Sequence, residues 1–162
     1  MLLSNKQNNK ARHLSAYYTK LYLSIYVFRG KPDVHYRRHV LAYFRSAEDS
    51  KFYETVHAVR DDDESPWKVD RIHKKIEWAM SANYLYHCDG GALLVPRGQE
   101  MMPGNIIAAV PVKDREQDSG WNCKNFLLEG LKELVAAGYQ TQEWYSAVED
   151  TLMNCLLDGA IG

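Results

Sequence analysis

Lys20-Leu21-Tyr22-Leu23-Ser24-Ile25-Tyr26-Val27-Phe28 is the stretch whose reading decides the fold. Leu21, Leu23, Ile25 and Val27 alternate with Tyr22, Ser24, Tyr26 and Phe28, a two-residue period built from good strand formers. Gly30-Lys31-Pro32-Asp33 ends this strand with turn chemistry. His39-Val40-Leu41-Ala42-Tyr43-Phe44 reads as a second strand, Ser46 to Lys51 as a turn, and Phe52 to Val59 as a third strand closing a hairpin. The acidic run from Arg60 to Pro66 reads as a solvated loop. Trp67 to Trp78 reads two ways: Trp67 and Val69 alternate as in a strand, whereas Ile72, Ile76, Ala79 and Met80 fit a helical stripe. Gly90-Gly91 reads as a turn, Leu93-Leu94-Val95 as a short strand, and Asn105 to Val110 as one or two helical turns.

The C-terminal third has a different period. Cys123, Leu127, Leu131, Leu134 and Val135 share one helical face, and Gly138 stands where a helix-ending glycine belongs. A second helix starts at a Thr141 cap and runs through Tyr145, Val148, Leu152, Cys155 and Leu156 toward Gly159. Strands first and helices last predict an α+β domain, an antiparallel sheet packed against C-terminal helices. Residues 1–13, polar and rich in Asn and Lys, read as a flexible tail, leaving residues 14–162 as one domain.

Composition narrows the function classes. The 162 residues hold 20 Lys+Arg against 21 Asp+Glu, a net charge of -1, so no nucleic-acid partner is expected. No apolar stretch approaches the ~20 residues of a membrane span, and no signal-peptide pattern opens the chain. Cys88, Cys123 and Cys155 are odd in number and scattered, which suits a reducing, cytoplasmic setting and offers no zinc spacing. Neither a GxGxxG nor a Walker pattern is present, so no cofactor or metal is expected.

Gly120-Trp121-Asn122-Cys123 carries the chemistry. Asn122 is a good helix cap, which puts Cys123 on the first helical turn. There the positive end of the helix dipole favours a thiolate and pulls a thiol pKa toward neutrality, and backbone N–H groups stand ready for an oxyanion. The opposing reading makes Cys123 a small core hydrophobe on the Leu127–Leu131 stripe. A nucleophilic thiol needs a base. A hairpin turn centred near Glu48 sets His39 directly opposite His57, on the same face of the sheet. One imidazole can then take the thiol proton while the second holds its tautomer. Arg37, two residues before His39, falls on the same strand face if the strand extends that far, and could meet an anionic substrate group.

His39-Val40-Leu41-Ala42-Tyr43, the strand ending at His57, and Asn122-Cys123-Lys124-Asn125-Phe126 opening a helix together resemble the permuted papain-like superfamily, which contains the lecithin:retinol acyltransferase-type proteins and the NlpC-type cysteine peptidases. The order His, His, Cys matches. Val40 stands where the acyltransferase branch commonly has Trp, and Lys124-Asn125 where it often has Glu-His. No hydrophobic C-terminal anchor of the membrane-bound acyltransferases is evident. The layout also resembles small fungal proteins with a Trp-Asn-Cys helix start. The resemblance implies a permuted papain-like fold and a thiol hydrolase or acyltransferase acting on a small-molecule or acyl substrate. Cys123 would be the nucleophile, His39 the base, His57 the orienting group, and Arg37, Asn122 and Trp121 substrate contacts. It turns Trp67 to Trp78 into a further strand. The rival expectation is a non-catalytic binding or regulatory module on the same scaffold.

Overall fold

The computed structural model describes residues 16–113, 115 and 120–161; the expected tail at 1–13 lies outside the described residues. It is an α+β arrangement of five strands, β1 (Tyr18–Phe28), β2 (His39–Ser46), β3 (Tyr53–Val59), β4 (Lys68–Ile72) and β5 (Tyr84–Pro96). Three helices follow, α1 (Met101–Ala108), α2 (Cys123–Ala136) and α3 (Gln142–Leu157). The strands form one sheet in the order β4-β3-β2-β1-β5. Every neighbouring pair is antiparallel.

The alternation in β1 sorts its side chains between two unequal faces. Leu21, Leu23, Ile25 and Val27 join Val40, Ala42, Phe44 and Val56 on the face that α2 and α3 cover. Phe126, Leu127, Leu131 and Leu134 of α2, with Val148, Leu152 and Leu156 of α3, complete this core. Each such Leu or Phe stabilises the fold by about 1.5–3 kcal/mol relative to solvent exposure. The other face buries Phe28, Leu41 and Tyr43 with Tyr26, Tyr53, Trp78 and Tyr84 around them. β4 and β5 lie at opposite edges, so residues 73–83 cross beneath this second face. The crossing is fixed where Ile76 N–H donates to Tyr43 Oη at 3.2 Å and Trp78 Nε1–H to Thr55 Oγ1 at 3.0 Å.

Helix ends follow the sequence signals. Asn122 and Asn125 form a reciprocal capping box at the start of α2. Gly138, at φ 86°, ends it with Tyr139 N–H bonded to Leu134 O and Gly138 N–H to Val135 O. Thr141 caps α3 through Trp144 N–H at 3.1 Å.

Three expectations need correcting. Trp67 to Trp78 is strand only over Lys68–Ile72, and Trp78–Met80 is a short 3-10 turn. Gly90-Gly91 is no turn: it lies inside the thirteen-residue β5 at a register shift against β1, and the Gly90 carbonyl accepts from Trp144 Nε1 at 2.7 Å. The helix anticipated at Asn105 begins earlier, at Met101, with Pro103 tolerated in its first turn.

One buried carboxylate ties α1 to the sheet. Glu54, fully buried on β3, accepts from Arg71 Nη2 at 2.8 Å and pairs with His73 Nε2 at 2.7 Å. Arg71 also reaches Asn105 Oδ1 of α1 at 2.9 Å. A side chain at Gly104 would have its Cβ 1.6 Å from Glu54 Oε1, so only glycine permits this approach. Removing one partner of a buried pair leaves a desolvated charge. Glu54→Ala is therefore expected to lower unfolding free energy by about 3 kcal/mol in urea titrations. Glu54→Gln, which keeps an acceptor for Arg71, should lose less.

Candidate active site

β2 and β3 pair in register from Ala42↔Val56 to Arg45↔Tyr53, and the ladder stops there. The hairpin is thus centred on Asp49 rather than Glu48, and His39 does not sit directly opposite His57. The displacement is an even number of positions, so both side chains stay on one face as diagonal neighbours. His39 Nε2 lies 2.7 Å from His57 Nδ1. His57 Nε2 in turn lies 2.8 Å from Asp70 Oδ2 on β4. This face is the one that the 73–83 crossing covers: the His39 ring packs near Phe28 and the His57 ring near Trp78.

The hydrogen bonds assign the tautomers. Asp70 as a carboxylate accepts, so His57 carries its proton on Nε2. His57 Nδ1 then accepts from His39 Nε2–H, which leaves Nδ1 of His39 as the nitrogen with a lone pair. Burial, followed by the neighbouring His57 charge, pushes the His39 pKa down to about 3. Burial also pushes His57 down, opposed by its hydrogen bond to Asp70. At neutral pH both rings are uncharged.

Cys123 approaches from the helix side. Its thiol, 6 % exposed, donates to the Arg38 carbonyl oxygen at 3.9 Å, beside the start of β2. Burial pushes its pKa up, against the expectation from its helix position. Backbone N–H groups of Val40, Lys124 and Cys123, together with the Lys124 charge, oppose that rise without overturning it. The resting sulfur is a thiol. Burial also drives Cys88 up to about 11 and raises Cys155, and all three cysteines are free.

Cys123 and His39 line one cavity of about 770 Å³, together with Arg37, Trp67, Trp121 and Asn122. His57 stands behind His39 rather than in the wall. Asn122 is chiefly a cap: its side chain accepts from Lys124 N–H at 2.9 Å, so that N–H is already engaged rather than waiting for an oxyanion. Trp121 forms a wall, 5.8 Å from Trp67 between ring centroids, with its indole N–H bonded to Glu129 at 2.9 Å. Arg37 is not on the β2 face. It belongs to the 3-10 turn His35–Arg37 and pairs with Asp63 at 3.3 Å across the cavity.

Sequence reading passed over Asp70. A turn centred between Asp63 and Glu64 would have set Asp70 opposite His57, as the β3–β4 register does. Arg38 was also passed over. It is 3 % exposed and bound to Asp33 by two contacts of 2.9 Å.

Among the described residues, no group of three or more His, Cys, Asp or Glu has an arrangement able to hold a metal ion, and no helix is long and apolar enough to cross a membrane. Comparison with family models, curated proteins and solved structures gives no match.

Keeping His39 neutral lowers stability in acid. The unfolded imidazole takes up a proton near 6.5, whereas the folded one resists until about 3. Stability is thus lost as pH falls from the first value toward the second, by up to ~1.4 kcal/mol per pH unit for one group. His39→Asn should flatten this dependence, read from urea midpoints between about pH 6 and pH 4.

Proposed function

We propose that the protein is a cysteine-dependent acyl-transfer enzyme, a hydrolase or acyltransferase of the permuted papain-like type, acting through a thioester on Cys123. The observation that carries this reading is the Asp70–His57–His39 chain, which leaves an unprotonated imidazole nitrogen, its lone pair unengaged in that chain, on a residue sharing a cavity with the thiol. The α+β order, with both histidines on strands before a cysteine at a helix start, agrees with it.

The chemistry runs from neutral partners. Cys123 Sγ attacks the acyl carbon while His39 Nδ1 takes the thiol proton, so proton removal accompanies attack rather than preceding it. The resulting imidazolium is stabilised through Nε2–H by His57, itself held by Asp70. Collapse of the tetrahedral intermediate breaks the bond to the leaving group, which receives the proton from His39. Water or another nucleophile, deprotonated by His39, then attacks the thioester carbon and releases the Cys123 thiol.

A second reading has its own support. The buried thiol's hydrogen bond to the Arg38 carbonyl suits a packing role in a non-catalytic binding module. p-Nitrophenyl acetate separates the two. Intact-mass analysis should find one acetyl group, mapped to Cys123 and absent in Cys123→Ala. His39→Ala should slow its formation by roughly 100-fold or more. His57→Gln, able to donate to Asp70 and accept from His39, should keep more activity than His57→Ala, and both more than His39→Ala. Failure of the wild-type protein to acetylate Cys123 would favour the binding module.

A further inference from the structure

The cavity wall carries more positive charge than the chain as a whole. Among the described residues, Lys31, Arg37, Arg38 and Arg60 line it against a single acid, Asp63, in a protein of net charge -1. Arg38 is already matched by Asp33, leaving three cations for one carboxylate. Asp63 is shared: Arg37 Nη2 lies 3.3 Å from Oδ2, and Arg60 Nη2 lies 3.6 Å from Oδ1. Its loop neighbours are engaged elsewhere. Asp61 pairs with Lys68 at 3.2 Å, and Asp62 accepts from Glu64 N–H and Ser65 Oγ within its own loop. Among the described acids, only Asp63 reaches across to Arg37. Arg60 is held in place by stacking on Trp67, its guanidinium carbon 4.5 Å from the ring centroid. Each guanidinium offers five donors, and one shared carboxylate leaves most of them available.

We propose that this cavity selects acyl compounds bearing an anionic group, a carboxylate or phosphate, which binds between Arg37 and Arg60 in the place of the Asp63 carboxylate. The proposal deepens the acyl-transfer reading and rests on it for the word acyl; the anion site itself stands on Arg37, Arg60 and Asp63. Asp63 acts as a tethered competitor. It keeps the two arginines aligned and must swing away, with its loop, when a substrate anion arrives. The device favours charged over neutral substrates, because only an anion replaces what Asp63 provided.

Calorimetric titration with benzoate and its neutral analogue benzamide tests this without relying on turnover. Benzoate should bind at least tenfold tighter than benzamide. Asp63→Asn should tighten benzoate several-fold by removing the competitor. Arg37→Ala and Arg60→Ala, both changes at the cavity rim, should each weaken it by about tenfold, the size of one charge-assisted contact. Equal binding of the two probes, absence of benzoate binding to Asp63→Asn, or affinity indifferent to both arginines would overturn the proposal. A parallel readout uses the thiol. The rate of Cys123 alkylation by iodoacetate relative to iodoacetamide should rise in Asp63→Asn and fall in the arginine variants, with Cys88 and Cys155 as internal references. Benzoate binding without acetylation of Cys123 by p-nitrophenyl acetate would remove the acyl-transfer reading and leave the anion site standing. Acetylation without benzoate binding would do the reverse.

Discussion

With β4 and β5 at opposite edges of one sheet, the chain must travel beneath it, and much else depends on that passage. The helices cover the other face, so without residues 73–83 the strip of Phe28, Leu41 and Tyr43 would meet water. The same passage brings Trp78 over His57 and Thr55, shielding His57 from solvent. Desolvation of those rings is the largest cause of their lowered proton affinity. A topological necessity thus becomes an electrostatic condition.

The consequence is a thiol and two imidazoles that are all uncharged at neutral pH. A preformed thiolate–imidazolium pair needs solvent or fixed charges to support it, and here burial opposes both charged forms. What the hydrogen bonds supply is order: Asp70 fixes the tautomer of His57, and His57 that of His39. The sulfur and the imidazole arrive from opposite sides of the sheet. Both line one cavity at the end of β2 where the β2–β3 ladder, which stops at Ala42, no longer extends.

Patterns local in sequence were legible. The two-residue period of Leu21 to Val27, the helical stripe from Cys123 to Leu134, and the Asn122, Thr141 and Gly138 caps all appear where local propensity puts them. The His39–His57 contact was legible through parity alone. Ser46 Oγ accepts from both Glu48 and Asp49 N–H, a turn chemistry that shifts the hairpin centre by one residue and the register by two. What the sequence hid is non-local. Gly90-Gly91 resembles a turn until Leu23 packs against Gly90 and Trp144 claims its carbonyl. Asp70 gains meaning only once β4 is paired, and the rise in Cys123 proton affinity comes from burial that no helix-start motif announces.

Arg38 links places far apart in the chain. Its guanidinium holds Asp33 and also donates to the carbonyl oxygens of Cys155 and Asp158 where α3 ends. Its own carbonyl oxygen accepts the Cys123 thiol. Ile161 N–H closes the loop by bonding Asp33 O at 2.9 Å. Tension applied to the segment after α3 is therefore carried through Asp33 and Arg38 to the backbone that anchors the sulfur. A cut between Leu157 and Ile161 would slacken that line and loosen the cysteine's seat through Arg38.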